Sequence, residues 1–163
     1  MNAPDDVALS SRQWRHLSLV RAAVSETLRL FPPVAVAPRR AKHTFSVGDY
    51  TVPAGGFLML SQYVTHRDPE LWQSPDAFMP SRWTKNAESQ DIRRYSYFPF
   101  GLGRRRCIGT DLAKRILVIF ATELIKQTRL EPQFTTLAKT TGVVTMVPRG
   151  GVPVVVRVHA KGQ

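Results

Sequence analysis

Residues 98–109 read FPFGLGRRRCIG and contain the only cysteine of the chain, Cys107. Glycines at positions 101, 103 and 109 lie on both sides of this thiol, so the backbone can take unusual angles and a flat, bulky group can approach it. A cysteine near the start of a helix and beside arginines is a good anionic ligand. Arginines also hold carboxylates by charge-assisted hydrogen bonds. The stretch therefore predicts a site for a planar, carboxylate-bearing cofactor whose metal takes one sulfur ligand.

The composition is that of one globular domain, with 163 residues, 43% of them hydrophobic and 21% charged. A single cysteine excludes an internal disulfide, and the four histidines, at 16, 43, 66 and 159, have no zinc-ligand spacing. The net charge of +11 favours an anionic partner without choosing among nucleic acid, acidic protein and anionic lipid. The first residues show no secretory or import pattern, and the apolar stretch 116–121 is too short to span a bilayer.

Periodicity and turn residues predict a mainly α fold with small β-sheets. Apolar spacing predicts a helix from Trp14 to Leu30, which Phe31 and two prolines end. The stretch 34–64 predicts two or three short strands, and 66–106 a long irregular loop. After Cys107, apolar residues almost surround a predicted helix over 112–125, which favours burial between other elements. Two valine-rich runs joined across 148–151 predict a C-terminal hairpin.

The spacing Phe100-x-x-Gly103-x-Arg105-x-Cys107-x-Gly109 resembles the haem-binding loop of the cytochrome P450 monooxygenases. In that family the cysteine is the axial thiolate ligand of the haem iron. The resemblance implies haem b (iron protoporphyrin IX) as the cofactor, with Cys107 as its ligand. It also implies that Arg105 donates to a haem propionate and that Phe100 packs on the thiolate side. The alternative from the residues alone is an inert cysteine in a basic, glycine-rich turn.

Two further stretches resemble the same family. ETLR at 26–29 resembles its ExxR helix, where a spacing of three places Glu26 and Arg29 on one face; taken alone, such a pair is usually a surface ion pair. THRDPELWQSPDAFMPSRW at 65–83 resembles the segment before the haem loop, and Arg82 matches the arginine that joins the ExxR pair in an ion network. Arg39 resembles a second propionate donor, with a solvated basic residue as the alternative.

The resemblance covers the chain from about Leu17 to its end. It implies that residues 1–163 are the C-terminal part of a single cytochrome P450 domain, without the oxygen-activating helix, its acid–alcohol pair and the N-terminal portion. No catalytic residue is therefore predicted in this chain. We expect the chain alone to be inactive and not to fold stably, because the helix over 112–125 would lack covering elements.

The family resemblance implies a reaction in which one oxygen atom of O2 enters a lipophilic, sterol-like substrate. The electrons come from a ferredoxin-type protein or a reductase, which a basic surface of Arg104, Arg106, Lys114 and Arg115 would suit. Residues 50–72 resemble the animal mitochondrial subgroup, which implies a mitochondrial rather than an endoplasmic reticulum membrane, reached through the missing N-terminal part.

Two alternatives to an active enzyme follow from the same residues. One is a catalytically inactive fragment that still binds haem. The other is a basic nucleic-acid-binding module, suggested by the +11 charge and the arginines at 104–106. That module would need interleaved aromatic side chains on a repeated platform, which the sequence lacks, so we predict no nucleic-acid partner.

Overall fold

The structure, a computed structural model, describes residues 17–84, 95–136, 139–142 and 145–159. Helix α1 spans Ser18–Leu30 and has Phe31 at its C-cap, so it ends where the sequence predicts. Its buried apolar side chains are Ala22, Leu28 and Leu30. The predicted start at Trp14 lies outside the described residues.

Four short strands follow α1 in two antiparallel pairs. Strand β1 (Val36–Arg40) pairs with β4 (Phe57–Ser61), and β2 (Phe45–Val47) pairs with β3 (Tyr50–Val52). Gly48 joins β2 to β3 with φ of 54°, a conformation that favours glycine. The number of strands therefore exceeds the two or three predicted. Strand β4 leads directly into the one-turn helix α2 (Gln62–Thr65).

In the described parts of the predicted irregular segment, residues 66–84 and 95–106, the chain is irregular apart from two 3₁₀ turns, Pro80–Trp83 and Gly103–Arg105. Helix α3 spans Thr110–Gln127 and has Gly109 at its N-cap, with no side-chain cap. Thr110 and Asp111 are of residue types that often cap helices, but neither side chain caps this one. The Thr110 hydroxyl instead donates to the Cys107 carbonyl at 2.6 Å, which ties the helix start to the cysteine.

Most of the apolar surface of α3 is exposed, which departs from the burial that its pattern favours and agrees with the expectation that this chain lacks elements to cover it. Its buried residues are Thr110, Val118 and Thr122. The exposed apolar residues are Leu112, Ile116, Leu117, Ile119, Phe120 and Ile125. Helix α1 and the following strand pack against α3. A helix that is apolar all round needs neighbours on every side, and the described part of this chain covers only part of it.

The described residues of the two valine-rich runs near the end pair with other strands and not with each other, so the predicted hairpin is wrong. Strand β5 (Thr128–Pro132) pairs with β8 (Val154–Val158), and β6 (Thr140–Thr141) pairs with β7 (Val147–Pro148). Strand β5 continues directly from α3 and offers β8 a five-residue partner.

Candidate functional site

The carboxylate of Glu26 is fully buried and accepts hydrogen bonds from four residues. Arg29 donates to both of its oxygens, at 2.9 Å through Nε and 2.9 Å through Nη2. Arg82 Nε and the Met79 amide donate to Oε1, at 3.2 and 2.9 Å, and Trp83 Nε1 donates to Oε2 at 2.9 Å. Glu26 of α1 therefore holds the 3₁₀ turn Pro80–Trp83 through the side chains of Arg82 and Trp83 and through the Met79 amide before the turn.

Arg29 is equally buried and uses its whole guanidinium group. Besides the paired bonds to Glu26, its Nη1 donates to the carbonyls of His66 and Pro75, both at 2.6 Å, and its Nη2 donates to the Ala77 carbonyl at 3.0 Å. A guanidinium has five N–H groups in a fixed planar arrangement. Arg29 thus connects α1 to three points of the segment 66–77.

Glu26 is ionised in this environment. Its burial opposes ionisation, but the hydrogen bonds from Arg29, Met79 and Trp83 together outweigh that effect and lower the pKa of Glu26. The pair Glu26–Arg29 and the pair Glu26–Arg82 are both almost free of solvent contact. Removing one partner would leave an uncompensated buried charge, which costs about 3–5 kcal/mol. The predicted triad of Glu26, Arg29 and Arg82 is therefore one contiguous cluster inside the protein.

Aromatic rings pack around this ion network. Trp83 lies 4.5 Å from Tyr97 and 6.0 Å from Trp72 between ring centroids, and the Arg29 guanidinium lies 5.1 Å from the Trp72 ring. The Tyr97 hydroxyl donates to the Ser25 carbonyl of α1 at 3.1 Å, and burial raises the pKa of Tyr97. Tyr97 precedes the cysteine loop directly. The aromatic rings therefore connect the ion network to the start of that loop.

His66 makes the second connection between α1 and the cysteine loop. Its ring is completely buried, with Nδ1 3.1 Å from the Arg29 carbonyl oxygen and Nε2 accepting from the Phe98 amide at 2.9 Å. His66, Met79 and Trp83 are not among the site residues predicted from the sequence. They lie in the stretch 65–83 that carries the resemblance, but no local spacing distinguishes them, because the bonds that bring them into the site, to Glu26 and Phe98, span at least 32 positions.

Cys107 lies at the end of a tight turn with its residue exposed. The Gly101 amide donates to the Phe98 carbonyl, and the Cys107 amide donates to the Phe100 carbonyl, each at 2.9 Å. Gly101 and Gly103 have φ of 76° and 65°, which side chains rarely allow. The loop therefore depends on these two glycines for its path.

The other predicted loop residues surround the thiol in different ways. A methyl group on Gly109 would lie 3.8 Å from the Cys107 sulfur, so this glycine leaves the space beside the sulfur open. Arg105 is exposed on the 3₁₀ turn Gly103–Arg105, and Phe100 is half-buried.

Arg39 lies in strand β1 and not in the cysteine loop, yet both border one cavity. This cavity of about 280 Å³ is lined by Arg39 of β1, by Phe98, Gly101 and Leu102 of the loop, and by Gln62 of α2. The fold thus brings Arg39 next to the cysteine loop, although 68 positions separate Arg39 and Cys107 in the sequence. A cationic side chain and a thiol-bearing loop share one region of the surface.

The side chains around Cys107 suit a metal whose other ligands come from a cofactor and not from the protein. Among the described residues, no group of three or more His, Cys, Asp or Glu side chains could hold a metal ion. A bare metal ion needs several protein ligands, whereas a haem iron has four from its own macrocycle. One exposed sulfur, an open space at Gly109 and cationic Arg39 and Arg105 therefore fit haem better than a bare ion.

Comparison with known proteins gives a consistent result for most of the chain. A sequence model of the family described as Cytochrome P450 matches residues 4–153. Vinorine hydroxylase of Rauvolfia serpentina is 36% identical over 115 residues, covering 69% of this chain and 24% of that protein. Cytochrome P450 3A29 of Sus scrofa is 34% identical over 151 residues, covering 85% of this chain and 29% of that protein.

A solved structure, retinoic acid bound cyanobacterial CYP120A1, has a similar fold, with a TM-score of 0.85 over 93% of this chain and 35% of that one, at 24% identity. The chain thus spans about a quarter to a third of the length of these proteins. In the described ranges, every helix is too short or too polar to cross a membrane.

Proposed function

Since the chain belongs to the cytochrome P450 family, we propose that it is the haem-binding portion of a monooxygenase, with Cys107 as the axial ligand of haem b. The observation that carries this proposal is that Cys107 is exposed on a turn, which is closed by a hydrogen bond from the Cys107 amide to the Phe100 carbonyl. When bound, the haem would activate O2, so that one oxygen atom enters the substrate and the other, with two electrons and two protons, becomes water.

The surrounding residues have distinct roles in this proposal. Arg39 and Arg105 donate to the haem propionates, since Arg39 lines the cavity beside the loop and Arg105 is exposed on the loop itself. Gly103 allows the turn and Gly109 leaves space beside the sulfur. Phe100 packs on the thiolate side. The ion network of Glu26, Arg29 and Arg82 keeps the segment before the loop fixed, because each side chain is buried and bonded.

We propose a lipophilic substrate, with a sterol-like molecule as the first class to test. The Met146 amide donates to the Pro33 carbonyl at 2.7 Å, which brings together the two stretches of this chain that contribute to substrate pockets in the family. Beside this contact is a cavity of about 480 Å³, and the side chains that line it include Phe31, Phe134, Met146 and Val152. Apolar cavities of this size suit drug-sized lipophilic molecules.

The proposed electron donor is a protein with an acidic docking surface, either a ferredoxin or a reductase. Arg21, Lys114 and Arg115 line one pocket between α1 and α3, together with Asp111. Burial and the charge of Arg106 lower the pKa of Lys114, as expected where cations crowd together. Replacing Lys114 by alanine should slow reduction at low salt, whereas Lys126→Ala, at the other end of α3, should not; equal effects would argue against this surface.

The location and the extent of the whole protein are further proposals. Residues 1–163 are proposed to be the C-terminal part of one P450 domain, which the short coverage of longer relatives supports. A mitochondrial membrane location rests on residues 50–72 only, since the relatives reported above do not select that subgroup. Sequencing the upstream transcript and fractionating cells that express the full protein would test both.

A catalytically inactive, haem-binding fragment is the second candidate function. The exposed apolar face of α3 favours it, because a chain that presents such a face lacks part of the packing of a complete domain. An intact acid–alcohol helix in the upstream sequence would support the active enzyme. Its absence would support the fragment.

The experiment that tests haem–thiolate ligation is the spectrum of the reduced protein with carbon monoxide. We expect the full-length protein, expressed with its upstream sequence, to show the red-shifted Soret band that reports a thiolate ligand. Cys107→Ala should lose this band, whereas Arg104→Ala, an exposed neighbour in the same turn, should retain it. An unchanged band in Cys107→Ala would overturn the assignment.

A further inference from the structure

His66 is a fully buried histidine whose two ring nitrogens contact backbone groups of opposite polarity. Nδ1 faces the carbonyl oxygen of Arg29, which can only accept, and Nε2 faces the amide of Phe98, which can only donate. The proton is therefore on Nδ1 and the lone pair on Nε2. The structure thus requires a neutral imidazole in one defined tautomer, with no ring nitrogen left for another ligand.

The two groups that His66 joins belong to different parts of the site. On one side, Arg29 is held by Glu26 and its side chain donates back to the His66 carbonyl at 2.6 Å, so two hydrogen bonds connect these residues. On the other side, the Phe98 carbonyl accepts from Gly101 in the turn that leads to Cys107. The Phe98 amide is thus one point at which the cysteine loop is attached to the protein interior.

We propose that neutral His66 is a positioning residue, which attaches the cysteine loop to the end of α1 and so fixes where Cys107 presents its sulfur. This inference rests on the proposed haem–thiolate function. The His66 ring is also restrained by packing, since it lies 5.3 Å from the Phe98 ring in an edge-on arrangement and 5.4 Å from the Tyr97 ring. The position of this ring is therefore fixed by both hydrogen bonds and packing.

Protonation of His66 would break the attachment. A second ring proton, on Nε2, would point at the Phe98 N–H, and the positive charge would lie near Arg29 and Arg67, with Glu26 already paired to Arg29. Burial is the main cause that lowers the pKa of His66 to about 4, the charges of Arg29 and Arg67 act in the same direction, and the bond to the Arg29 carbonyl opposes them. His66 is therefore neutral at physiological pH.

The first test is the tautomer in the unmodified, full-length protein. Nitrogen NMR of labelled histidine at pH 7 should show His66 protonated on Nδ1 and not on Nε2. Hydrogen exchange should show a slow Phe98 amide whose protection is lost as the pH falls towards 4. Either a proton on Nε2, or a Phe98 amide that exchanges freely at pH 7, would overturn the proposal, and neither measurement needs a variant that folds.

The second test compares three variants of the haem-loaded protein. His66→Phe removes both ring hydrogen bonds and should speed exchange of the Phe98 amide at least about tenfold, as expected for loss of a buried hydrogen bond. It should also shift part of the ferrous carbon monoxide spectrum away from the thiolate band. His66→Gln keeps an acceptor and should recover part of both signals, and His43→Phe, at an exposed histidine, should change neither.

The outcomes separate this inference from the proposed function. A folded His66→Phe variant with unchanged Phe98 exchange and an unchanged thiolate band would overturn the positioning role. If the unmodified protein lacks the thiolate band but His66→Phe still exposes the Phe98 amide, the haem–thiolate proposal fails while the hydrogen bond stands.

Discussion

Arg82 Nε lies 3.2 Å from Glu26 Oε1, although 56 positions separate these residues. Both side chains are almost free of solvent contact, and Arg82 also donates to the Ser74 carbonyl at 2.8 Å. The contact joins helix α1 to the 3₁₀ turn Pro80–Trp83. Removing one partner of a buried ion pair leaves the other charge without compensation, so the cluster stabilises the fold as a unit. The resulting fall in the free energy of unfolding is large enough to measure.

Replacing Glu26 by glutamine should destabilise the full-length protein by about 3–5 kcal/mol, because Arg29 and Arg82 would then be buried without a counter-charge. Glu123→Gln is the matched control, since Glu123 pairs with Lys126 on an exposed part of α3 and should cost less than about 1 kcal/mol. Denaturant unfolding gives both values. A Glu26→Gln cost as small as that of the control would show that the network contributes little to stability.

Arg39→Ala should weaken haem retention, whereas Arg40→Ala should not. The two arginines are neighbours in β1, but Arg39 lines the cavity beside the cysteine loop while Arg40 is exposed. A hydrogen bond to a charged group contributes about 1.5–3 kcal/mol, which corresponds to roughly 10- to 100-fold faster haem loss. Transfer of haem to an excess of apomyoglobin measures the rate. Equal rates for the two variants would exclude Arg39 as a specific propionate donor.

Alanine substitutions at Gly103 and Gly109 should have different consequences. Gly103 has φ of 65°, so Gly103→Ala should lower the free energy of unfolding by about 1 kcal/mol or more. Gly109 has φ of −80°, so Gly109→Ala should leave stability nearly unchanged. Its methyl group beside the sulfur should instead weaken haem binding. Unfolding curves of the apoprotein and haem titration separate these effects, and a reversed pattern would contradict the proposed roles.

The free energy of unfolding should fall as the pH is lowered from about 6.5 towards 4. Burial lowers the pKa of His66 from 6.5 to about 4, so in this window the unfolded chain binds a proton that the folded chain does not. The loss is complete below the folded-state pKa and amounts to roughly 3 kcal/mol. The lowered pKa of Glu26 adds a loss of stability at still lower pH, as that carboxylate is protonated.

The control for this pH dependence is His66→Gln, which has no imidazole at position 66. Its free energy of unfolding should depend less on pH between 6.5 and 4.5 than that of the unmodified protein. Parallel curves for the two proteins would mean that His66 is not the group responsible.

The cysteine loop and the ExxR pair could be predicted because their information is local. Cys107 and its flanking glycines lie within a few residues of one another, and a separation of three places Glu26 and Arg29 on one helix face. The end of α1 at Leu30 follows from the adjacent prolines, and the β2–β3 hairpin from its glycine turn. These features depend on backbone preferences over one or two turns of chain.

The pairing of the last strand could not be predicted from such local rules. Strand β8 has the composition of a strand, but its partner β5 lies 22 or more positions earlier and follows a helix without a turn signal. The exposure of α3 was expected from the lack of covering elements, but which of its residues are covered depends on how α1 and β5 pack against it.

The sequence by itself determined the family resemblance, the single cysteine available as a thiolate ligand and the placement of Glu26 and Arg29 on one helix face. Only the tertiary structure decided how these parts are joined. It buried the ion pair, brought Arg82 to Glu26 and placed His66 between the Arg29 carbonyl and the Phe98 amide. The reason is physical: a buried polar group must find a partner wherever the fold brings one, and that partner need not be close in sequence.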